Sequence, residues 1–206
     1  MMKKIQSCFK DGHLPGTSPA TNVVYRDQYI NTPFNVAQLA FWMLALQTYL
    51  QTNGRWKVEC IEIETLDEDN KPKFRYSDKH TKPYRWNDKW LSSATRDKVL
   101  SGTLTQLGVD GKVVSGIDRQ HDRELIVKFL DGSKLRLGLG HGLDYWKPEP
   151  CDKKNILFDF SVDPIEQVMS IVDANVKVKN EDDRPAIGHL EWKQNWQHRS
   201  LLGGSP

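Results

Sequence analysis

Apolar positions recur along this chain with the spacing of strands in some stretches and of helices in others. Asn22 to Ile30 (NVVYRDQYI) is rich in β-branched and aromatic residues and reads as a strand, with Tyr25 and Asp27 near its end. Pro33 stands where a helix can begin, and Phe34 to Leu50 is apolar on nearly every side until Asn53-Gly54 stops it. Such a helix is a central core element, or a core helix that also serves a subunit contact. Lys57 to Glu64 alternates polar and apolar residues and predicts a second strand. Leu91, Ala94, Leu100, Leu104 and Leu107 fall at helical spacing, and Gly108 closes that helix. Lys112–Ile117, Glu124–Leu130 and Lys134–Leu139 read as short strands, the last two joined by an Asp131-Gly132 turn. Asn155 to Val162 is a further strand, and Pro164 opens a helix running to Val172. The order β-α-β-insert-α-β-β-β-β-α predicts an α/β fold with a mixed sheet flanked by helices.

Composition narrows the class. The 206 residues suit one domain large enough to bury its own core without a staple. Lys and Arg total 29 against 27 Asp and Glu, which excludes a histone-like or acidic-tail protein and leaves only local charge as evidence. Cys8, Cys60 and Cys151 are odd in number and widely spaced, so neither a disulfide framework nor a zinc pair is expected, and no cofactor. The longest nearly apolar run, Val36 to Leu46, contains Gln38 and falls short of the roughly 20 residues a bilayer span needs. Met-Met-Lys-Lys at the start has a signal-like charge but no apolar core segment, and a cytoplasmic location is expected. Residues 1–21 read as a poorly ordered arm, 22–178 as the domain, and 179–206 as a charged tail carrying Trp192 and Trp196. That tail either packs back on the domain or docks a protein partner, since exposed Trp suits interface anchors.

Candidate chemistry concentrates between Asp118 and Trp146. Alternation along a strand aligns His121 and Arg123 with Leu125, Val127 and Phe129, two polar residues opening a face that continues into the core. A guanidinium fork beside an imidazole forms a phosphate-sized site, whereas Asp122, Glu124 and Lys128 fall on the other face. The alternative is a solvated strand end whose charges pair among themselves. Gly138-Leu139-Gly140-His141-Gly142 is permissive backbone, either a structural turn or a place where a ligand approaches closely.

His121-Asp122-Arg123-Glu124-Leu125, Asp131-Gly132 and Gly140-His141-Gly142-Leu143-Asp144-Tyr145-Trp146 together resemble the MIT C-terminal domain family, and Arg26-Asp27-Gln28-Tyr29-Ile30 resembles its upstream motif. The resemblance implies a phospholipase D-like sandwich, dimeric, with an active-site equivalent near the two-fold axis. It places His121 at the superfamily's nucleophile and Arg123 at its phosphate clamp, with Lys128 where an Asp is expected. His141 and Asp144 then join His121 and Arg123 as phosphate-binding candidates, and His141 as a general acid. An eroded site of this kind implies phosphate or acidic-phospholipid binding, with catalysis absent or slow.

The insert, about residues 67–86, differs in composition. Lys71, Lys73, Arg75, Lys79, Lys82 and Arg85 face the single acid Asp78, interleaved with Phe74, Tyr76 and Tyr84. Cations for a phosphate chain and aromatic faces for bases compose a nucleic-acid strip, although a solvated hairpin or subunit contact has a similar make-up. Three functions follow. The first is a phosphate-recognising phospholipase D-like dimer that binds nucleic acid, by analogy within a bacterial defence system. The second is a metal-independent phosphodiesterase or nuclease using His121. The third is a non-catalytic assembly subunit or lipid binder.

Overall fold

The structure, a computed structural model, describes residues 18–67, 84–85, 89–90, 92–115, 123–138, 157–158, 163–178, 189–194 and 197–200. β1 (Ala20–Arg26) starts inside the stretch expected to be an arm and ends four residues before Ile30. Its end is set by Asp27, whose carboxylate accepts a hydrogen bond from the Tyr29 N–H at 2.8 Å and turns the chain. α1 (Pro33–Thr52) follows, capped by the Thr32 hydroxyl, which accepts from the Asn35 N–H at 3.2 Å, with Pro33 at the position where a missing N–H costs nothing. β2 (Cys60–Thr65) runs parallel to β1. β3 (Tyr84–Arg85) pairs antiparallel with β7 (Leu157–Phe158) in a separate two-stranded sheet. α2 (Ser93–Gln106), capped by Ser92, leads to β4 (Asp110–Ser115), parallel to β2. β5 (Glu124–Phe129) and β6 (Lys134–Gly138) form the expected hairpin, with Gly132 at φ 82° in the turn. α3 (Pro164–Val178), β8 (His189–Gln194) and β9 (Gln197–Ser200) complete the order.

The main sheet is mixed. Its five strands β4-β2-β1-β5-β6 are continued by β8 and β9, both antiparallel to their neighbours. β1-α1-β2 and β2-α2-β4 step in the same direction across the sheet, and right-handed crossovers then put both helices on one face. The core lies there: Tyr25, Ile63, Val127 and Leu137 of the strands cluster with Trp42 and Leu46 of α1, Leu100 of α2 and Val168 of α3. α1 is enclosed by its own chain. Phe34, Leu39, Trp42 and Leu50 are fully buried, and the half-buried Phe41, Leu44 and Tyr49 pack on the same cluster. The central-core role expected of this helix is thus present within one molecule. Among the described residues no helix is long and apolar enough to cross a membrane.

The opposite face carries no described helix. The positions that alternate with the core residues there are Arg26, Glu62, Glu64, Glu124, Lys128, Lys134 and Arg136, together with Val24 and Ile126, which are buried. An α/β fold with a mixed sheet is what the hydrophobic pattern predicts. The helices flank one side of the sheet among the described residues.

Candidate functional site

The carboxyl ends of β1, β2 and β4 lie together with the start of β5 and the end of β6. The register fixes this: Arg26 pairs with Glu64 and Glu124, Thr65 with Ser115, and Glu124 with Gly138. Every stretch that sequence reasoning marked for chemistry joins the sheet at this edge. The 67–86 insert follows β2, His121 and Arg123 precede β5, and the glycine-rich stretch with His141 and Asp144 follows β6. The far side of the insert is tied down where the Trp90 N–H donates to the Asn31 carbonyl at 3.0 Å, just ahead of α1.

At the edge Arg123 is held on two sides. Its Nε lies 3.3 Å from Asp27 Oδ1, and its guanidinium stacks over the Tyr29 ring, 4.7 Å from the centroid. Asp27 is itself buried and fixed, accepting from the Tyr25 hydroxyl and the Tyr29 N–H, each at 2.8 Å. The Arg123 side chain retains 15% exposure, and among the described residues its two terminal nitrogens have no acceptor. A guanidinium fixed by one edge and one face offers its other edge in a single orientation.

One residue on, the chain alternates to the helix-free face and a ladder of charge begins. Arg26 Nε donates to Glu64 at 2.6 Å and its terminal nitrogens reach Glu64 at 3.1 Å and Glu124 at 3.5 Å. Arg136 grips Glu124 through both Nε, at 2.7 Å, and a terminal nitrogen. Glu124 is only 4% exposed, so two cations compensate one buried carboxylate. Hydrogen bonding to Glu64 raises the Arg26 pKa further above its ordinary value, against the opposing effects of partial burial and of Arg136. The ladder alternates in sign and satisfies itself.

A second guanidinium, Arg96 of α2, is buried to 1% exposure beneath the same edge. It donates to the Leu66 carbonyl at 2.7 Å, Ser115 Oγ at 3.0 Å and Asp97 at 2.8 Å, so it clamps the ends of β2 and β4 to the helix. Ser93 adds a 2.8 Å hydrogen bond to Asp67, the first residue of the insert. Sequence reasoning passed over Arg96 and Arg136, and marked Asp27 only as a strand-end residue within the Arg26–Ile30 motif. A cation at a helical position that should face the core was the available signal for Arg96.

Of the sequence-predicted site residues, Arg123 is described as above, and it does lie on the row leading to Leu125, Val127 and Phe129. Arg85 falls in β3, of which only the backbone pairing is described. His121, His141, Asp144, Lys71, Lys73, Arg75, Lys79 and Lys82 lie outside the described residues. So do the glycine turn and Cys8 and Cys151, whereas Cys60 is a half-buried free thiol. Among the described residues no group of three or more His, Cys, Asp or Glu is placed to hold a metal.

The resemblance to the MIT C-terminal domain is overturned by comparison with known families. A family model described as the C-terminal domain of the DEAD/DEAH-box helicase YjiV matches residues 1–188. With it fall the phospholipase D-like assignment, the phosphate-recognising phospholipase D-like module and its defence-system setting. The misleading signal has a physical origin: charged pairs opening a strand, and glycines closing one, recur wherever strands end at a polar edge. No curated protein matches the chain. A match over residues 1–188, on a described α/β fold, shows that this chain belongs to the family of DEAD/DEAH-box helicase YjiV C-terminal domains.

Proposed function

We propose that this chain grips nucleic acid as the C-terminal domain of a DEAD/DEAH-box helicase, and that it does so at the carboxyl edge of its sheet. The observation that carries the reading is Arg123: its Nε is engaged by Asp27, its face by Tyr29, and its remaining edge faces no protein acceptor among the described residues. Such a fork matches a pair of phosphate oxygens or the acceptor edge of a base. Open α/β sheets take their ligands outside the carboxyl ends of parallel strands, which is where Arg123 stands. The cation- and aromatic-rich segment from Lys71 to Arg85 leaves from the same edge and has the composition of a strand-tracking surface. The family description, a helicase C-terminal domain, supplies the polymer.

The test separates fork from charge. Arg123→Lys keeps the cation but loses bidentate geometry, and Arg123→Gln loses both. Fluorescence anisotropy with a labelled single-stranded oligonucleotide should show weaker binding for Arg123→Lys. Arg123→Gln should lose roughly tenfold, about 1.4 kcal/mol, the scale of one charge-assisted contact. Wild-type affinity in Arg123→Gln, with melting unchanged, removes the edge as the grip.

A further inference from the structure

Lysines on interior strands of a sheet require an explanation. Register places Lys128 of β5 directly opposite Lys134 of β6, Lys134 opposite Lys193 of β8, and Lys193 opposite His198 of β9. Asn22 of β1 continues the row on the other side of Lys128. Four consecutive strands thus carry basic residues at one level, about 4.8 Å apart from strand to strand.

The rest of the helix-free face is built differently. Two residues along the strands the row reads Lys112, Glu62, Val24, Ile126 and Arg136, with Lys112 3.6 Å from Glu62 and with Val24 and Ile126 buried; two further on, Glu64 and Glu124 pair with Arg26, and Glu124 also takes Arg136. Lys128 and Lys134 have no acidic partner among the described residues, and like charges directly opposite destabilise an antiparallel pair. Lysines often guard exposed sheet edges against pairing, but β5 and β6 are both covered, by β1 and β8 respectively. Edge protection therefore does not account for them. Lys128 and Lys134, unopposed among the described side chains, suit a linear anion.

We infer that this row is a second contact line for the phosphates of a nucleic-acid strand, crossing the helix-free face perpendicular to β5 and β6. It rests on the nucleic-acid reading above, and it adds a surface that neither Arg123 nor the 67–86 segment belongs to. From Glu124 to Lys128 the strand runs four residues, roughly 13 Å, so the row stands apart from the carboxyl edge. The contact is to backbone phosphate, so it carries no preference for sequence.

The intact chain is titrated against labelled oligodeoxythymidine at several salt concentrations, as wild type, Lys128→Gln/Lys134→Gln and Lys112→Gln. Removing two phosphate contacts should weaken binding about tenfold and lower the slope of log affinity against log salt by about 1.4. Lys112→Gln, whose charge is already paired, should match wild type. The double variant should melt no lower than wild type, because a repulsion has been removed. Should it fail to fold, the exposed Lys134→Gln alone is read for a slope change of about 0.7. Unchanged affinity and slope, with Arg123→Gln still impaired, overturn the row and leave the edge standing. Wild-type protein that binds no oligonucleotide, or prefers phosphatidylserine vesicles, overturns both.

Discussion

Thr65 closes β2 at 2% exposure, and among the described residues its hydroxyl has no hydrogen-bond partner, a buried polar group of the kind that costs about 1–3 kcal/mol. Thr65→Val keeps the shape and removes the unpaired oxygen, so urea unfolding should show a gain of about 1 kcal/mol. A loss would mean that the hydroxyl has a partner in solution. Glu124 behaves oppositely. Truncating it to Ala leaves Arg26 and Arg136 facing each other over a buried gap, and the chain should lose about 3–5 kcal/mol, with Glu124→Gln losing less. Equal melting of wild type and Glu124→Ala would show the ladder to be ornamental.

Asp131 supplies the pH dependence of the β5–β6 turn. Its carboxylate accepts from the Ser133 hydroxyl and from the Ser133 N–H at 3.0 Å, which holds its pKa below the ordinary 3.8 despite a small opposing effect of burial. A carboxylate depressed on folding stabilises the fold fully above its unfolded value and loses that contribution as pH falls through the folded one. Wild type should therefore out-melt Asp131→Asn from pH 7 down to about 5, and the gap should close below about pH 4. A gap that is constant into acid would assign the effect to geometry alone.

Between elements, β4 approaches the backbone of α2 closely. A Cβ on Gly111 would stand 2.9 Å from the Ser101 Cα and 2.9 Å from a Leu104 methyl. The backbone contact cannot yield by a rotamer change, so Gly111→Ala should cost about 1–3 kcal/mol in thermal or urea unfolding. Wild-type stability would mean that the helix can retreat. Much of this layer structure was legible in the chain. Pro33 announces one helix and the spacing from Leu91 to Leu107 a second, and the alternation of Leu125, Val127 and Phe129 gives β5 its start and its core face, one residue too long at the far end. β3 and β9 went unforeseen, and two other elements were misjudged for local reasons. Tyr29 and Ile30 look like strand, but the Asp27 side chain captures the Tyr29 N–H and ends β1 early. His189–Gln194 reads as charged tail because half its positions are polar, yet a strand joining a sheet needs only one apolar face. The site divides similarly. Arg123 was visible through its place on the strand, whereas Asp27 and Tyr29, though both stand in the Arg26–Ile30 motif, come from a distant strand end that nothing local pairs with Arg123. The phospholipase D-like resemblance failed where residue types at strand ends, rather than their partners, bore the weight.

Among the described residues, one helix layer lies on one side of a mixed sheet, and charged residues lie on the other side around the buried Val24 and Ile126 and at one end. The proposed nucleic-acid reading assigns a polymer two surfaces: the carboxyl edge with Arg123 and the basic segment, and the row of lysines on the other face. Charge near balance, 29 cations against 27 acids, means that any grip on nucleic acid must come from local placement and must weaken steeply with salt. The most direct measurement is therefore the affinity of the intact chain for single-stranded oligonucleotide as salt is raised. Log affinity should fall linearly with log salt, with a slope that decreases in Arg123→Gln. No binding at low salt, or binding that salt does not weaken, would contradict the account.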